Sequence, residues 1–176
     1  IARKAFGTCG KLTAITVDGD NAFHSSRDGV LFDRHQTTLK QCPGGRLGSY
    51  TAPHGVTNIG EWAFTHCGGL SSVTIPNGVS TIGQSAFRCC SNLTNITIPN
   101  GVITIGWDAF SACSSLTSVV VPDGAFVIDG WAFSHCSGLT NVTIPDSLIN
   151  IGAWAFSACT NLTRVTIPNS VPGVGE

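Results

Sequence analysis

Cysteines, histidines and recurring aspartates are the side chains in this 176-residue chain that could bind metal, exchange disulfides or move protons. Cys67, Cys90, Cys113, Cys136 and Cys159 lie 23 residues apart, and each follows a phenylalanine (Phe64, Phe87, Phe110, Phe133, Phe156) by three residues, as Cys9 follows Phe6. Zinc sites expect close ligand pairs such as C-x-x-C, and the sequence contains none. Cysteines one repeat apart would approach bridging distance in a stack. A thiol is also a small apolar group that packs well, and the even column is read as packing. Cys42 and Cys89 stand off the column, so they are the candidates for oxidation or partner contact.

The other reactive side chains assemble no site. His66 and His135 each precede a column cysteine but lie three repeats apart, roughly 14 Å along a stack of strands, too far to share a metal. His24, His35 and His54 flank an irregular stretch without the partners of a triad. Asp123 and Asp146 occupy equivalent positions in successive repeats, where stacked carboxylates suit calcium or an acid pair for glycoside hydrolysis. Asn77, Asn100 and Asn169 fill the same column, which favours a turn-forming role. Asp18-Gly-Asp20-Asn21 starts like a calcium loop but lacks the downstream glutamate. No phosphate loop, metalloprotease helix or nucleophile–base pair is present. The chain is read as a non-enzyme, with no catalytic residue, metal or cofactor assigned.

These columns require elements that repeat. Residues 93–99, Leu-Thr-Asn-Ile-Thr-Ile-Pro, predict a short strand with Ile96 and Ile98 inward and Asn95 and Thr97 outward. Pro99 ends it, and Asn100-Gly101 turns the chain. Ile105 makes a second inward contact. Gly106, matched by Gly60, Gly83 and Gly152 and replaced once by Asp129, provides a place for a positive φ. Ala-Phe-x-x-Cys then predicts a short helical turn with phenylalanine and cysteine on one face. The leucine column Leu12, Leu47, Leu70, Leu93, Leu116, Leu139, Leu162 keeps 23-residue spacing except for its first step of 35, and predicts seven strands. The long step (18–46) lacks Ala-Phe-x-x-Cys. It reads instead as a β-hairpin, 29–33 with 37–43, standing off the stack. The expected fold is a β-dominated α/β solenoid, one domain over 1–176: a right-handed coil with a concave parallel sheet and short helical turns on its convex side.

The repeat L-x-x-V-T-I-P-x-x-V-x-x-I-G-x-x-A-F-x-x-C, close to consensus over Leu139–Cys159, resembles the BspA-like leucine-rich repeats of bacterial and protist surface proteins. The resemblance implies a secreted or cell-surface protein that adheres to a protein or glycan, and it carries no catalytic residues.

Charged residues make up 11% of the chain and the net charge is −1. Nucleic acid, which demands clustered cations, is excluded as a partner, and no apolar run approaches the ~20 residues of a spanning helix. What remains exposed is hydroxyl and amide. One outward ladder runs Ser72, Asn95, Ser118, Asn141, Arg164 and the next Thr74, Thr97, Val120, Thr143, Thr166; apart from Val120 these are the candidate binding face. A threonine ladder also suits ice, but curvature and Val120 oppose a flat ice-matching surface. Trp131 and Trp154 share a column with Trp62 and form a candidate aromatic patch. Asn92, Asn95, Asn141 and Asn161 begin N-x-T sequons produced by the repeat itself. Both ends fall inside a repeat, without caps. Ile1, Phe6, Leu162, Val165, Ile167 and Val174 are therefore candidates for end-to-end contact between copies. The expectation is a surface binding module, with a filament subunit as the alternative.

Overall fold

The computed structural model describes residues 5–172. Its strands are β1 (His24–Arg27), β2 (Val30–Asp33), β3 (Thr38–Gln41), β4 (Gly48–Thr51), β5 (Asn58–Ile59), β6 (Leu70–Thr74), β7 (Thr81–Ile82), β8 (Asn95–Thr97), β9 (Thr104–Ile105), β10 (Ser118–Val120), β11 (Val127–Ile128), β12 (Asn141–Thr143) and β13 (Asn150–Ile151). They build a solenoid. Each coil crosses a strand of one parallel face (β4-β6-β8, then β10-β12), turns at a proline, and crosses a two-residue strand of a second face (β5-β7-β9-β11-β13), which the longer β3 extends. It returns through a run of turns. Register is set at 23 residues, pairing Ser72 with Asn95 and Thr81 with Thr104, so like residues stack on like. Phe64, Phe87, Phe110, Phe133 and Phe156 form one column of nearly parallel rings with centroids 4.8–5.4 Å apart. Leucines, isoleucines and cysteines fill the same continuous core.

The structure corrects the sequence reading in several places. Among the described residues the leucine face has five strands, not seven. Residues 13–17 turn their amides to the hairpin instead of to β4: Ile15 N–H donates to Gly29 O at 2.8 Å and Val17 N–H to Ser26 Oγ at 2.9 Å. Residues 163–167, at the other edge, form no strand. Leu47 leaves the leucine column and is 76% exposed, because a register shift at Gly48 (φ 76) pairs Gly48, not Leu47, with Leu70. The hairpin does not stand off. β1, β2 and β3 form an antiparallel meander whose last strand joins β5, and Val30, Phe32 and Leu39 are buried in the common core. Asp28-Gly29, both with positive φ (51 and 75), make its first turn, as a two-residue hairpin demands.

The expected helical turns do not form: no helix is present among the described residues. Amides of Ala63, Thr65 and Cys67 bond within their own turn, to Gly60, Trp62 and Phe64 carbonyls, while those of Trp62, Phe64 and His66 bond forward to Gln84, Ala86 and Arg88 of the next coil. A helix needs its amides for its own preceding turn; here half are given to the neighbour. The alternation requires left-handed backbone at Trp62 (φ 63) and His66 (φ 57), and again at Ser85 and Cys89, Asp108 and Ala112, Trp131 and His135, Trp154 and Ala158. The glycine column, by contrast, has no positive φ. It is glycine because coils touch there: a Cβ on Gly83 would sit 2.7 Å from Glu61 N, and one on Gly152 would collide with Gly130 N.

Candidate functional site

Alternation along the leucine-face strands presents the polar ladders. Val73, Ile96, Val119 and Val142 point into the core, so their neighbours point out. Thr74, Asn95, Thr97, Ser118, Asn141 and Thr143 are exposed, and Ser72 is half-buried. Pairing brings Ser72 beside Asn95, Thr74 beside Thr97, Ser118 beside Asn141 and Val120 beside Thr143. Val120, 64% exposed, is an apolar break in the threonine ladder. Arg164 and Thr166 are exposed but lie beyond the last paired strand. A neighbouring column, one residue after the leucine, serves the fold instead: Thr94 Oγ1 donates to Ser71 O at 3.2 Å and Thr140 Oγ1 to Thr117 O at 3.0 Å. The sequon asparagines Asn92, Asn95, Asn141 and Asn161 are all exposed.

Trp131 and Trp154 are brought together, their rings stacked with centroids 5.6 Å apart. Trp107 lies over the next coil: a Cβ on Gly130 would be 2.5 Å from its Cζ3. Ile103, Phe126 and Ile149, each about half exposed, form an apolar ridge on three successive coils. Sequence reasoning passed over the ridge, although the 23-residue spacing of these positions was there to show it. Of the candidate end contacts, Phe6 and Leu162 are half-buried and Val165 and Ile167 exposed; Ile1 and Val174 lie outside the described residues.

The cysteines do structural work. All eight are free. In four successive coils the buried Sγ–H donates to the phenylalanine carbonyl of the coil before: Cys90 to Phe64 at 3.0 Å, and Cys113, Cys136 and Cys159 to Phe87, Phe110 and Phe133 at 3.1 Å. Burial pushes the thiols of Cys89, Cys136 and Cys159 above the ordinary value. Cys42, expected to be available for oxidation, is fully buried, while Cys9 is exposed. Among the described residues no group of three or more His, Cys, Asp or Glu is placed to hold a metal. Asp123 and Asp146 are exposed at turns, and His66 and His135 are exposed as well. Asn21 Oδ1 accepts the amides of Phe23 and His24 at 2.9 Å, a turn role.

One polar cluster was not anticipated. Asp108 stands where other coils carry tryptophan, its side chain only 9% exposed. Its carboxylate accepts Ser85 Oγ at 3.0 Å and pairs with Arg88 Nη1. The bond to Asp108 holds the Arg88 guanidinium above its ordinary value, against the opposing effect of burial.

No helix among the described residues is long and apolar enough to cross a membrane. No curated protein is detectably similar in sequence to the chain. Among solved structures, a leucine-rich cell surface protein from Faecalibacterium prausnitzii is 33% identical with a TM-score of 0.85, over 92% of this chain and 43% of its own. A leucine-rich repeat protein from Eubacterium ventriosum is 25% identical with a TM-score of 0.79, over 99% of this chain and 54% of its own. The pneumococcal vaccine antigen PcpA shares the fold at 21% identity and a TM-score of 0.63. The chain thus spans about half the length of these solved proteins. The model of the BspA type leucine-rich repeat region matches in six copies over residues 40–140 and 103–176. With 23-residue register, stacked phenylalanines and a cysteine column on the page, the chain belongs to the BspA type leucine-rich repeat family.

Proposed function

We propose that this chain is a non-enzymatic cell-surface module that binds a protein or glycan through its leucine-face strands. The observation that carries the reading is the in-register, uncharged ladder of Ser72, Asn95, Ser118, Asn141 and Thr74, Thr97, Thr143. Hydroxyls and amides repeated about every 4.8 Å offer donors and acceptors without the desolvation cost of charge. Similarity to a cell surface protein of Faecalibacterium prausnitzii supports the location. The test is a glycan array together with a panel of immobilised extracellular proteins. Binding by the chain that is lost in an Asn95→Arg/Thr97→Arg variant with an unchanged melting temperature supports the reading. Binding equal in both, or none to any member, overturns it.

A further inference from the structure

On the second face the chemistry changes halfway along the stack. The column one residue before each two-residue strand reads Thr57, Ser80, Ile103, Phe126, Ile149. The first two show what the coil itself asks of this position: Thr57 Oγ1 donates to Thr37 O at 3.3 Å, and Ser80 Oγ to Thr57 O at 3.5 Å. The backbone is the same with either kind of side chain. Ser80 N–H donates to Thr57 O at 3.0 Å, Phe126 N–H to Ile103 O and Ile149 N–H to Phe126 O, both at 2.9 Å. The fold therefore does not require the apolar residues, which stand about half exposed. Those bonds hold Ile103, Phe126 and Ile149 on neighbouring coils, about 4.8 Å apart. Trp107 and Trp154, also about half exposed, lie four and five residues further along the first and third of these coils. Gln84 fills the Trp107 position one coil earlier. Five half-exposed side chains of this size present on the order of 400 Å², and an apolar patch of that extent is often functional.

The charge around the ridge has one sign. Between Arg88 and Arg164 the chain contains no lysine or arginine, and its acids there are Asp108, Asp123, Asp129 and Asp146. Asp108 is paired with Arg88. Asp123 and Asp146 sit in turns closed by Ala125 N–H to Pro122 O at 2.9 Å and Leu148 N–H to Pro145 O at 3.1 Å, and both are exposed. They precede Phe126 and Ile149 by three residues, and Asp129 follows Phe126 by three. Three residues span at most about 11 Å, so each carboxylate lies within about a Debye length of the ridge at 0.1 M salt. The turns do not require the charge, since Asn77 and Asn100 fill the same position. An apolar ridge with carboxylate margins repels an acidic partner or an anionic membrane. In a two-fold contact between copies the same carboxylates would face each other. The complementary occupant brings apolar side chains to the ridge and lysine or arginine to its margins.

We propose that the ridge of Ile103, Phe126 and Ile149 is a docking site for a basic polypeptide segment that carries apolar side chains, distinct from the ladder face. Fluorescence anisotropy with labelled, end-capped twelve-residue peptides of alternating Leu-Lys, Leu-Glu and Ser-Lys tests it. The Leu-Lys peptide should bind ten-fold or more tightly than either of the others. Variants borrowed from the repeat itself locate the site. Phe126→Thr restores the residue type of Thr57, and Asp123→Asn/Asp146→Asn that of Asn77 and Asn100. Each should weaken Leu-Lys binding at least five-fold at an unchanged melting temperature, and the double variant should also flatten its salt dependence. Ile103→Thr serves in place of Phe126→Thr if the latter melts lower than wild type. Asn95→Ala/Thr97→Ala, on the strand face, should leave binding unchanged. The proposal is overturned if the Leu-Lys peptide does not bind saturably, if either other peptide binds as tightly, if the ridge variant or the acid variant binds like wild type, or if the strand-face variant abolishes binding. Sedimentation velocity of the chain alone tests the other occupant: wild type and Phe126→Thr should sediment alike, and a wild-type dimer that Phe126→Thr dissociates would overturn the proposal in favour of a second copy.

Discussion

At the residue scale the cysteine column is a hydrogen-bonding device inside a core. A phenylalanine carbonyl has two lone pairs. One accepts the amide of its own turn, as Phe87 O takes Cys90 N–H at 3.2 Å, and the second accepts the thiol of the next coil, Cys113, at 3.1 Å. Serine could donate too but would bring a more polar oxygen among apolar neighbours; the thiol fits both demands. The nucleophile is the thiolate, so access and ionisation set the reactivity of each cysteine. Brief alkylation of the native protein near neutral pH should label Cys9, which is exposed, and leave Cys90, Cys113 and Cys136 unmodified until denaturant is added. Peptide mass mapping reads the outcome, and rapid native labelling of Cys113 would contradict the buried column.

At the element scale the strands, turns and corners each make a separate demand. The glycine column is dictated by contact between coils. Gly83→Ala, with Glu61 N 2.7 Å from the new carbon, should cost about 1–3 kcal/mol. Gly19→Ala, with nothing within 4 Å, should stay within about 0.5 kcal/mol. Urea unfolding of the two variants gives the comparison. The β2–β3 turn depends on Asp33, whose carboxylate accepts Thr37 N–H at 2.8 Å, Thr37 Oγ1 at 2.7 Å and Thr38 N–H at 3.0 Å. Burial opposes the charge, but these bonds, with Lys40 nearby, hold the carboxyl below its ordinary 3.8. A group depressed in this way stabilises the fold above its unfolded value, and that contribution is lost as pH falls through the lower folded value. Between pH 6 and pH 3 the wild type should therefore lose more melting temperature than Asp33→Asn; equal losses would remove Asp33 from the account. Columns of leucine, phenylalanine and cysteine were legible in the sequence because stacking repeats a side chain at constant register. The helical turns were misread because Phe-x-x-Cys spacing is shared by a helix and by linked turns. Only the destination of the alternate amides separates the two, and that lies one coil away. Leu47 was misread for a related reason: the shift at Gly48 is a backbone event that leaves the spacing of leucines intact.

At the scale of the whole molecule, stability is a sum over neighbouring coils. Phe110 lies between Phe87 and Phe133, with centroids 5.0 and 5.1 Å away, whereas Phe156 is half-buried with a single ring neighbour, Phe133. Phe110→Ala should cost about 3–5 kcal/mol and divide the stack. Phe156→Ala should cost roughly half as much, since it loses about half the contact. Calorimetry that finds equal losses would argue against nearest-neighbour behaviour. The forward-pointing amides carry one more consequence. On the strand sides, bonds between coils run both ways: Gly83 N–H goes back to Ile59 O and Ala52 N–H forward to Thr74 O. On the turn side, three amides per turn point forward in each of four successive turns, from Trp62 to His135. Peptide dipoles of about 3.5 D each therefore add along that side, leaving partial negative charge at its first turn and partial positive charge at its last. The solenoid is an electret along one flank, so a coil or copy arriving there meets attraction head to tail and repulsion head to head.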